Sequence, residues 1–328
     1  MIKDSYFWLR LFETSGIGPK KLIKVAQVLE KETIEPKNIT LKESELIAEF
    51  PELAKILNGN IREENREKIY QLYQELQEKG IEILYPCHER YPKNFLQLAE
   101  EFNISPVLFT FGKQSLLKAE GIAIVGSRNV PQEGIEATQK IAAQLANHGY
   151  NVVSGYAKGV DTEAHLGALN AEGTTTMGLS YGIQELRPKQ EFKEFNWQRD
   201  ILAVSQFSPK SKWTARNAMA RNKLVCALSS GVIVITSGQE KDSNGKMSGT
   251  FDAAKTALKM GLPLFVVTPQ YYQDCPQGNV DLIQQGGIEF NPNDGIREIL
   301  KHFSKKKLEK EAMSRFSKQP QQLSLPLG

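Results

Sequence analysis

Cysteine is scarce in this sequence, and long apolar runs are missing. The three cysteines, Cys87, Cys226 and Cys275, lie far apart and have no spacing typical of a disulfide framework or a metal site. They indicate reduced thiols in a cytoplasmic protein. No apolar run approaches the 18 or so residues of a membrane span. The first residues form an amphipathic pattern containing Arg10 and Glu13, which is unlike a signal peptide. The sequence therefore predicts no contact with a membrane.

A strong charge of one sign is also missing. The formal net charge is +3 over 328 residues, which by itself indicates no class of partner. The charge is unevenly spread, because seven Lys or Arg residues and two acids lie between Lys301 and Lys318. With 40% hydrophobic and 24% charged residues, the chain has a globular composition and enough length for one large core plus a smaller domain.

Two common nucleotide-binding fingerprints are absent. A dinucleotide site needs G-x-G-x-x-G after one strand and an acid after the next. Here the first turn reads Gly126-Ser127-Arg128-Asn129, and the following strand ends in Ser154 without an acid. No glycine is followed by Lys-Ser or Lys-Thr at the spacing of a P-loop. His148 and His165 lie within helical patterns and have no nucleophile near them in sequence. We predict no catalytic residue, no metal ligand and no cofactor.

Strands and helices alternate between residues 121 and 290. Several of the strands are continuously apolar, as expected when both faces of a sheet are covered. The pattern predicts a doubly wound, mostly parallel α/β sheet with right-handed crossovers. The predicted strands are Ile122–Val125, Asn151–Ser154, Thr174–Leu179, Ala203–Phe207, Val232–Thr236 and Leu264–Thr268. The predicted helices lie near Glu133–His148, Thr162–Ala171, Ala218–Leu228 and Thr250–Met260.

Three further regions flank this alternation. Residues 1–80 show helical periodicity and form a predicted small helical domain. Within it, residues 14–21 resemble the turn of a helix-hairpin-helix or SAM-like domain, which could hold a phosphate or merely join two helices. Residues 81–120 form a predicted extended bridge that begins the domain ending at residue 290, and residues 291–328 form a basic tail with one short helix, Ile296–Phe303.

Two turns carry the candidate site. The first turn (residues 126–129) offers backbone N–H groups, the Ser127 hydroxyl and the Arg128 guanidinium. The second turn (residues 154–159) adds Ser154, Lys158 and two glycines. Both follow parallel strands, so they meet at the carboxyl edge of the sheet, where such sheets bind ligands. A cationic, N–H-rich crevice suits phosphate. The candidate residues are Gly126, Ser127, Arg128, Ser154, Gly155, Lys158, Gly159, Arg221, Asn222 and Lys223.

Simpler interpretations stand beside this one. Ser127 could be a helix N-cap next to a surface arginine, and Asp161 is expected to cap the following helix. Tyr156 could stack on a base or pack beside the sheet. Arg216 could join the cations. If Arg221 begins its helix, Asn222 and Lys223 lie in the first turn, where unpaired N–H groups face outward. The alternative is that these three residues form a solvated helix start with no ligand.

These motifs, in this order, resemble the DNA-processing protein A (DprA, or Smf) family. The resemblance covers residues 85–290 well and residues 1–80 loosely. It rests on Val125–Arg128, Ser154–Asp161 with Ala164-His165, Gly173–Leu179 with Gly182, Arg221–Ser229, Ser248–Thr250 with Ala253-Ala254, and Gly278-Asn279 with Leu282-Ile283 and Gly286.

The resemblance implies an extended Rossmann-like domain that binds single-stranded DNA in a basic pocket. It also implies loading of a RecA-type recombinase, in recombination, repair or natural transformation, by a homodimer. The sequence departs from the family at Lys223, where an arginine is usual, and at Gln206, where a glutamate is usual. Residues 185–195 lack the usual Tyr-Pro and contain Arg187-Pro188, and no winged-helix pattern follows residue 290.

A nucleotide sensor or a nucleotide phosphoribohydrolase is the alternative on the same fold. The related hydrolases carry Pro-Gly-Gly-x-Gly-Thr-x-x-Glu. Here Gly249-Thr250 is followed by Phe251, Asp252 and Ala253, so the acid is displaced by one position. One residue on a helix turns a side chain by about 100°. The sequence therefore argues against cleavage but not against sensing.

The C-terminus resembles the Gln-Leu-x-Leu-x-Leu peptide by which bacterial replication and repair proteins bind the sliding clamp. In an extended peptide alternate side chains face one way, so the leucines could fill one groove. The alternative is a frayed terminus. The basic run before it could follow DNA or form a solvated helix face. The predicted partner-binding residues are Gln322, Leu323, Ser324, Leu325 and Leu327.

Overall fold

The computed structural model describes residues 4–35, 49–57, 65–92, 94–245 and 247–303. Within these residues, nine strands form one mixed sheet in the order β1-β2-β6-β5-β4-β3-β7-β8-β9. The strands are β1 (Glu82–Leu84), β2 (Leu108–Gly112), β3 (Gly121–Val125), β4 (Asn151–Ser154), β5 (Thr175–Gly178), β6 (Ile201–Ser205), β7 (Val232–Val234), β8 (Leu264–Val267) and β9 (Ile288–Phe290).

The helices alternate with the parallel strands after residue 121 and dominate the chain before residue 80. They are α1 (Asp4–Phe12), α2 (Pro19–Lys31), α3 (Pro51–Leu57), α4 (Arg66–Glu78), α5 (Phe95–Phe102), α6 (Gln132–Asn147), α7 (Val160–Asn170), α8 (Trp197–Asp200), α9 (Ala215–Ala227), α10 (Gly249–Lys259) and α11 (Gln277–Gln284). Short 3₁₀ helices cover Gln114–Lys118, Ile183–Glu185, Gln190–Phe192, Pro269–Tyr271 and Pro292–Asp294. None of the helices described is both long and apolar enough to cross a bilayer.

The doubly wound sheet confirms the predicted fold class. The seven neighbouring strands β6-β5-β4-β3-β7-β8-β9, in their order across the sheet, pair in parallel. The strand β2 pairs antiparallel with both β1 and β6. The order β5-β4-β3-β7-β8-β9 matches the 3-2-1-4-5-6 order of a Rossmann fold, and the other three strands extend it.

Alternate residues of the central strands point to opposite faces, and both faces are covered. Ile122 and Ile124 of β3 pack in a buried cluster with α6 and α7. Ala123 and Val125 pack in a second cluster with α9 and α10. This double burial explains why the strands read as continuous apolar runs rather than as alternating polar and apolar residues.

The structure adds two details at the ends of the predicted domain 81–290. The bridge over residues 81–120 is not extended throughout, because α5 and a 3₁₀ helix interrupt it. The core also continues beyond residue 290: residues 297–303 are helical, and Ile299 and Phe303 are buried against α6 and β8. The basic run after residue 303 and the predicted clamp-binding peptide lie outside the described residues.

The N-terminal helices share a hydrophobic cluster with the sheet. Leu9 and Trp8 of α1 are buried in the same cluster as Phe109 of β2 and Ala203 of β6. The turn between α1 and α2 contains a buried residue, Ile17, and exposed glycines on either side. Phosphate binding by this turn stays a prediction.

Candidate functional site

The candidate site lies at the carboxyl ends of β3, β4 and β7. The sheet continues from β3 through β4 on one side and from β7 through β8 on the other, and the helices change faces between these two halves. Such a switch point opens a crevice beyond the carboxyl ends of the strands, because the connecting chain leaves in opposite directions. Both turns that the sequence singles out open onto it.

The first turn is fastened by local hydrogen bonds. The Ser127 N–H donates to the Thr236 carbonyl beyond β7 (3.0 Å). The Ser127 hydroxyl donates to the Asn129 carbonyl (3.0 Å) and accepts from the Asn129 N–H (3.1 Å). The N-cap of α6 is Pro131, so the alternative of Ser127 as an N-cap is wrong. The serine instead shapes the turn that presents the following arginine.

The two turns are in direct contact. The Val160 N–H donates to the Ser127 carbonyl (3.2 Å). Gly159 has φ of 77°, and a Cβ on it would lie 2.6 Å from the carbonyl oxygens of both Ser127 and Arg128. Gly126 packs just as closely on Val160. Only glycine permits this approach, so the two turns form one continuous surface.

Two predicted cations project from this surface into solvent. The side chains of Arg128 and Lys158 are exposed, and Arg216 near the start of α9 is exposed as well. Two lysines in the loop before α9 are instead held in ion pairs with carboxylates. Lys210 pairs with Glu75 (2.8 Å), and Lys212 pairs with Glu185 (2.6 Å).

Ser154 and Asp161 form the buried base of the second turn. Ser154 is fully buried, and its hydroxyl lies 2.6 Å from the Ile124 carbonyl and 3.1 Å from Asp161 Oδ1. Asp161 Oδ2 accepts from the Ala157 N–H (3.2 Å). The N-cap of α7 is Gly159, so the prediction that Asp161 caps the helix is wrong. Both polar side chains hold the turn from beneath.

Arg221 lies directly under the second turn. Its Nη1 is 3.4 Å from Asp161 Oδ2, and the two side chains are only 9% and 7% exposed. A Cβ on Gly155 would lie 1.6 Å from the same Nη1, so the glycine is what admits the guanidinium. Arg221 Nε is buried and has no hydrogen-bond partner among the described residues. The buried Arg221–Asp161 ion pair therefore supports the turn that carries Lys158 from beneath.

The neighbours of Arg221 lie elsewhere. The helix α9 begins at Ala215 with Thr214 as its N-cap, so Arg221 does not begin its helix and the block lies in the second half of it. Asn222 is buried and donates to the Gly249 carbonyl (2.9 Å) and Asp252 Oδ2 (3.1 Å). Lys223 donates to the Phe102 carbonyl (3.0 Å), which belongs to α5. Consecutive side chains point in directions about 100° apart around a helix. Arg221, Asn222 and Lys223 therefore contact three different parts of the protein.

His165 fixes the backbone of the second turn. It is fully buried, with Nε2 2.5 Å from the Gly155 carbonyl and Nδ1 2.6 Å from the Thr175 hydroxyl. Because a carbonyl can only accept, Nε2 carries the proton. Burial lowers the pKa of this histidine from 6.5 to about 4, so the ring is neutral at neutral pH.

Lys189 is a residue of the site that the sequence did not reveal. Its Nζ donates to the Ala157 carbonyl (2.9 Å) and the Thr162 hydroxyl (2.8 Å), and it lies 4.6 Å from the centre of the Tyr156 ring. Burial lowers its pKa. The ring of Tyr156 also packs against Phe192, so of its two predicted roles the structure shows packing. The only signal in the sequence was that Lys189 lies where the family pattern fails.

Trp213 is the second residue near the site that the sequence did not reveal. It lies in the loop before α9, is 51% exposed, and its ring centre is 6.0 Å from the Arg128 guanidinium carbon.

Gln206, a departure from the family pattern, is well accommodated. Its Nε2 donates to the Ala220 carbonyl (2.9 Å), and its Oε1 accepts from the Ser105 N–H (3.2 Å). An ionised glutamate could make only the second of these bonds.

Comparison with known proteins connects this geometry to a family. The family model for DNA recombination-mediator protein A matches residues 82–302, which is more than half of the chain. The protein Smf of Synechocystis is 27% identical over 290 residues, covering 86% of this chain and 69% of that protein.

Two solved structures are similar. The X-ray structure of DNA processing protein A from Streptococcus pneumoniae superposes with a TM-score of 0.66 at 23% identity, covering 89% of this chain and 97% of the other. The structure of DNA processing protein A from Helicobacter pylori, which concerns its mode of binding single-stranded DNA, superposes with a TM-score of 0.54 at 28% identity. The superposition covers 68% of this chain and 96% of the other. The chain belongs to the DNA recombination-mediator protein A (DprA/Smf) family.

Proposed function

We propose that this protein binds single-stranded DNA at the surface formed by the two turns. The observation that carries the proposal is the contact of the two turns, which places the exposed cations Arg128 and Lys158 on one surface at the carboxyl edge of the sheet. Single-strand binders use such a cationic surface to follow the phosphate backbone. The related protein from Helicobacter pylori, whose binding of single-stranded DNA has been described, supports the same ligand here.

The biological role follows from the family. We infer that the protein protects single-stranded DNA and helps to load a RecA-type recombinase on it, in recombination, repair or natural transformation. In this proposal the protein acts in the cytoplasm as a homodimer. Residues 1–80 form a small helical domain that assists DNA binding, and the segment Gln322–Leu327 is held by a sliding clamp. The last proposal is supported by the alternating leucines in the sequence.

We propose a binding role without catalysis. The related hydrolases need a glutamate where this chain has Ala253, which is buried. The adjacent acid, Asp252, accepts a hydrogen bond from Asn222. A nucleotide sensor would use the same crevice for one small ligand. A thermal-shift panel separates the two functions: we expect oligonucleotides to raise the melting temperature and mononucleotides to leave it unchanged, because only a bound ligand stabilises the native state.

The first test replaces the two exposed cations. We expect Arg128→Gln and Lys158→Gln each to weaken binding of an oligo(dT) and to reduce the slope of log affinity against log salt by about 0.7 to 1, because each lost phosphate contact releases one counterion fewer. The measurement is fluorescence anisotropy of a labelled oligonucleotide at several salt concentrations.

The matched control is Lys259→Gln. Lys259 is equally exposed but ends α10, a helix that starts at the carboxyl edge of the sheet and runs away from it for about 15 Å. This variant should bind as the wild type does. An affinity that does not respond to salt, or variants at the two turns that match the control, would contradict the proposed function.

A further inference from the structure

Trp213 exposes more of its surface than any other large hydrophobic residue in the part of the chain that the structure describes. Its exposed fraction is 51%, whereas Trp8 is 1% exposed and Trp197 is partly buried and packs against Phe111. Leaving half of an indole in water forgoes a large hydrophobic contribution to folding. A ring exposed to this extent is available to a ligand.

The loop that carries Trp213 is fixed on both sides. The Ser211 and Pro209 carbonyls accept from the Gly182 and Gln184 N–H groups (2.8 and 2.9 Å). On the other side Thr214 is the N-cap of α9, where it accepts from the Asn217 N–H (3.0 Å). The backbone that carries the indole is therefore held in place before any ligand arrives, which reduces the entropy lost on binding.

The ring stands next to the phosphate-binding surface. Its centre is 6.0 Å from the guanidinium carbon of Arg128 on the first turn. A polynucleotide whose phosphate pairs with Arg128 brings its neighbouring base within reach of the indole. The other aromatic residue of the site, Tyr156, suits this role less well, because it is only partly exposed, packs against Phe192 and has the Lys189 ammonium 4.6 Å from its ring centre.

We propose that Trp213 is a base-stacking platform and that the site recognises an unpaired nucleobase together with its phosphate. This inference rests on the proposed function and makes it more specific. Base stacking on an aromatic ring contributes to binding whatever the base. In a duplex the bases stack on each other, so the platform favours single strands over double strands, which phosphate contacts alone do not do.

The test compares two probes with equal charge. One is an oligo(dT), and the other is an abasic oligonucleotide of the same length, with the same phosphates and sugars but no bases. We expect wild-type protein to bind oligo(dT) about 5- to 150-fold more tightly, the range that stacking of a base supplies. Trp213→Leu should bind both probes alike, at the wild-type affinity for the abasic probe, and Trp213→Phe should keep most of the preference.

The matched control is Tyr70→Leu. Tyr70 is 45% exposed but lies on α4, in the N-terminal part of the chain. This variant should keep the full preference for oligo(dT). Intrinsic fluorescence gives a second readout: oligo(dT) should quench the wild-type signal, and Trp213→Phe should abolish the quenching, since Trp8 is buried and Trp197 is partly buried against Phe111.

Two results would overturn the inference and leave the proposed function intact. One is equal, salt-dependent binding of both probes by the wild type. The other is an unchanged preference for oligo(dT) in Trp213→Leu, as expected if the indole instead contacts a protein partner. If the wild type binds neither probe, the proposed function fails as well. Because Trp213 is at the surface, its variants should melt with the wild type, and a thermal melt checks this.

Discussion

We expect Arg221→Met to destabilise the protein by about 3 kcal/mol. The substitution removes the cation that pairs with Asp161 and leaves a buried carboxylate uncompensated, for which costs of about 3 to 5 kcal/mol are usual. The lower end applies here because Asp161 keeps the Ala157 N–H as a donor. The free energy of unfolding from urea denaturation, at a constant m-value, measures the effect.

A second substitution tests the mechanism. In Arg221→Met/Asp161→Asn the buried charge is removed as well, so the double variant should recover a substantial part of the lost stability. Retention of wild-type stability by the single variant would show that the pair does not hold the second turn. Lack of recovery in the double variant would assign the loss to packing of the arginine stem.

The second large effect is the response of His165 to acid. Its pKa is lowered from 6.5 to about 4 in the folded protein because it is fully buried. Between these pH values the unfolded chain binds a proton that the folded state refuses, so stability is fully present above pH 6.5 and falls as the pH drops toward 4. The loss from this group should approach about 3 kcal/mol at pH 4, at 1.36 kcal/mol per pKa unit.

The comparison variant is His165→Gln. Glutamine can donate to the Gly155 carbonyl but does not titrate, and the carboxylates shared by both proteins cancel in the difference. Urea denaturation from pH 7 to pH 4 should therefore show the wild type losing more stability than the variant. A difference that stays constant with pH would mean that the histidine is not kept neutral by the fold.

Together these contacts separate the site into a support and a surface. Ser154, Asp161, Arg221 and His165 are buried and bond to the second turn or to each other. Arg128 and Lys158 are exposed above them. Because the backbone of this surface is already fixed, it loses little conformational entropy when it binds a flexible strand.

Much of the site was predictable from residue patterns. Parallel strands followed by glycine-containing turns must meet at one edge of a sheet, so the proximity of the first and second turns follows from their order in the chain. The direction of individual side chains does not follow. Ser154 and Asn222 were named as phosphate-binding candidates and are buried, and Lys223 reaches α5.

The residues that were missed share a physical feature. Lys189 and Trp213 both lie in irregular segments, where periodicity gives no guidance. Their positions depend on hydrogen bonds to distant residues, such as those from Lys189 to Ala157 and Thr162.

The sequence by itself determined the doubly wound sheet, the two turns at its carboxyl edge and the family. Each depends on local hydrophobic periodicity or on the spacing of glycines, which follow from neighbouring residues in the chain. Only the tertiary structure decided which cations face solvent, which one is buried beside Asp161, and that an indole stands next to Arg128. Those outcomes depend on contacts between residues far apart in sequence, such as Asp161 and Arg221, which no local pattern encodes.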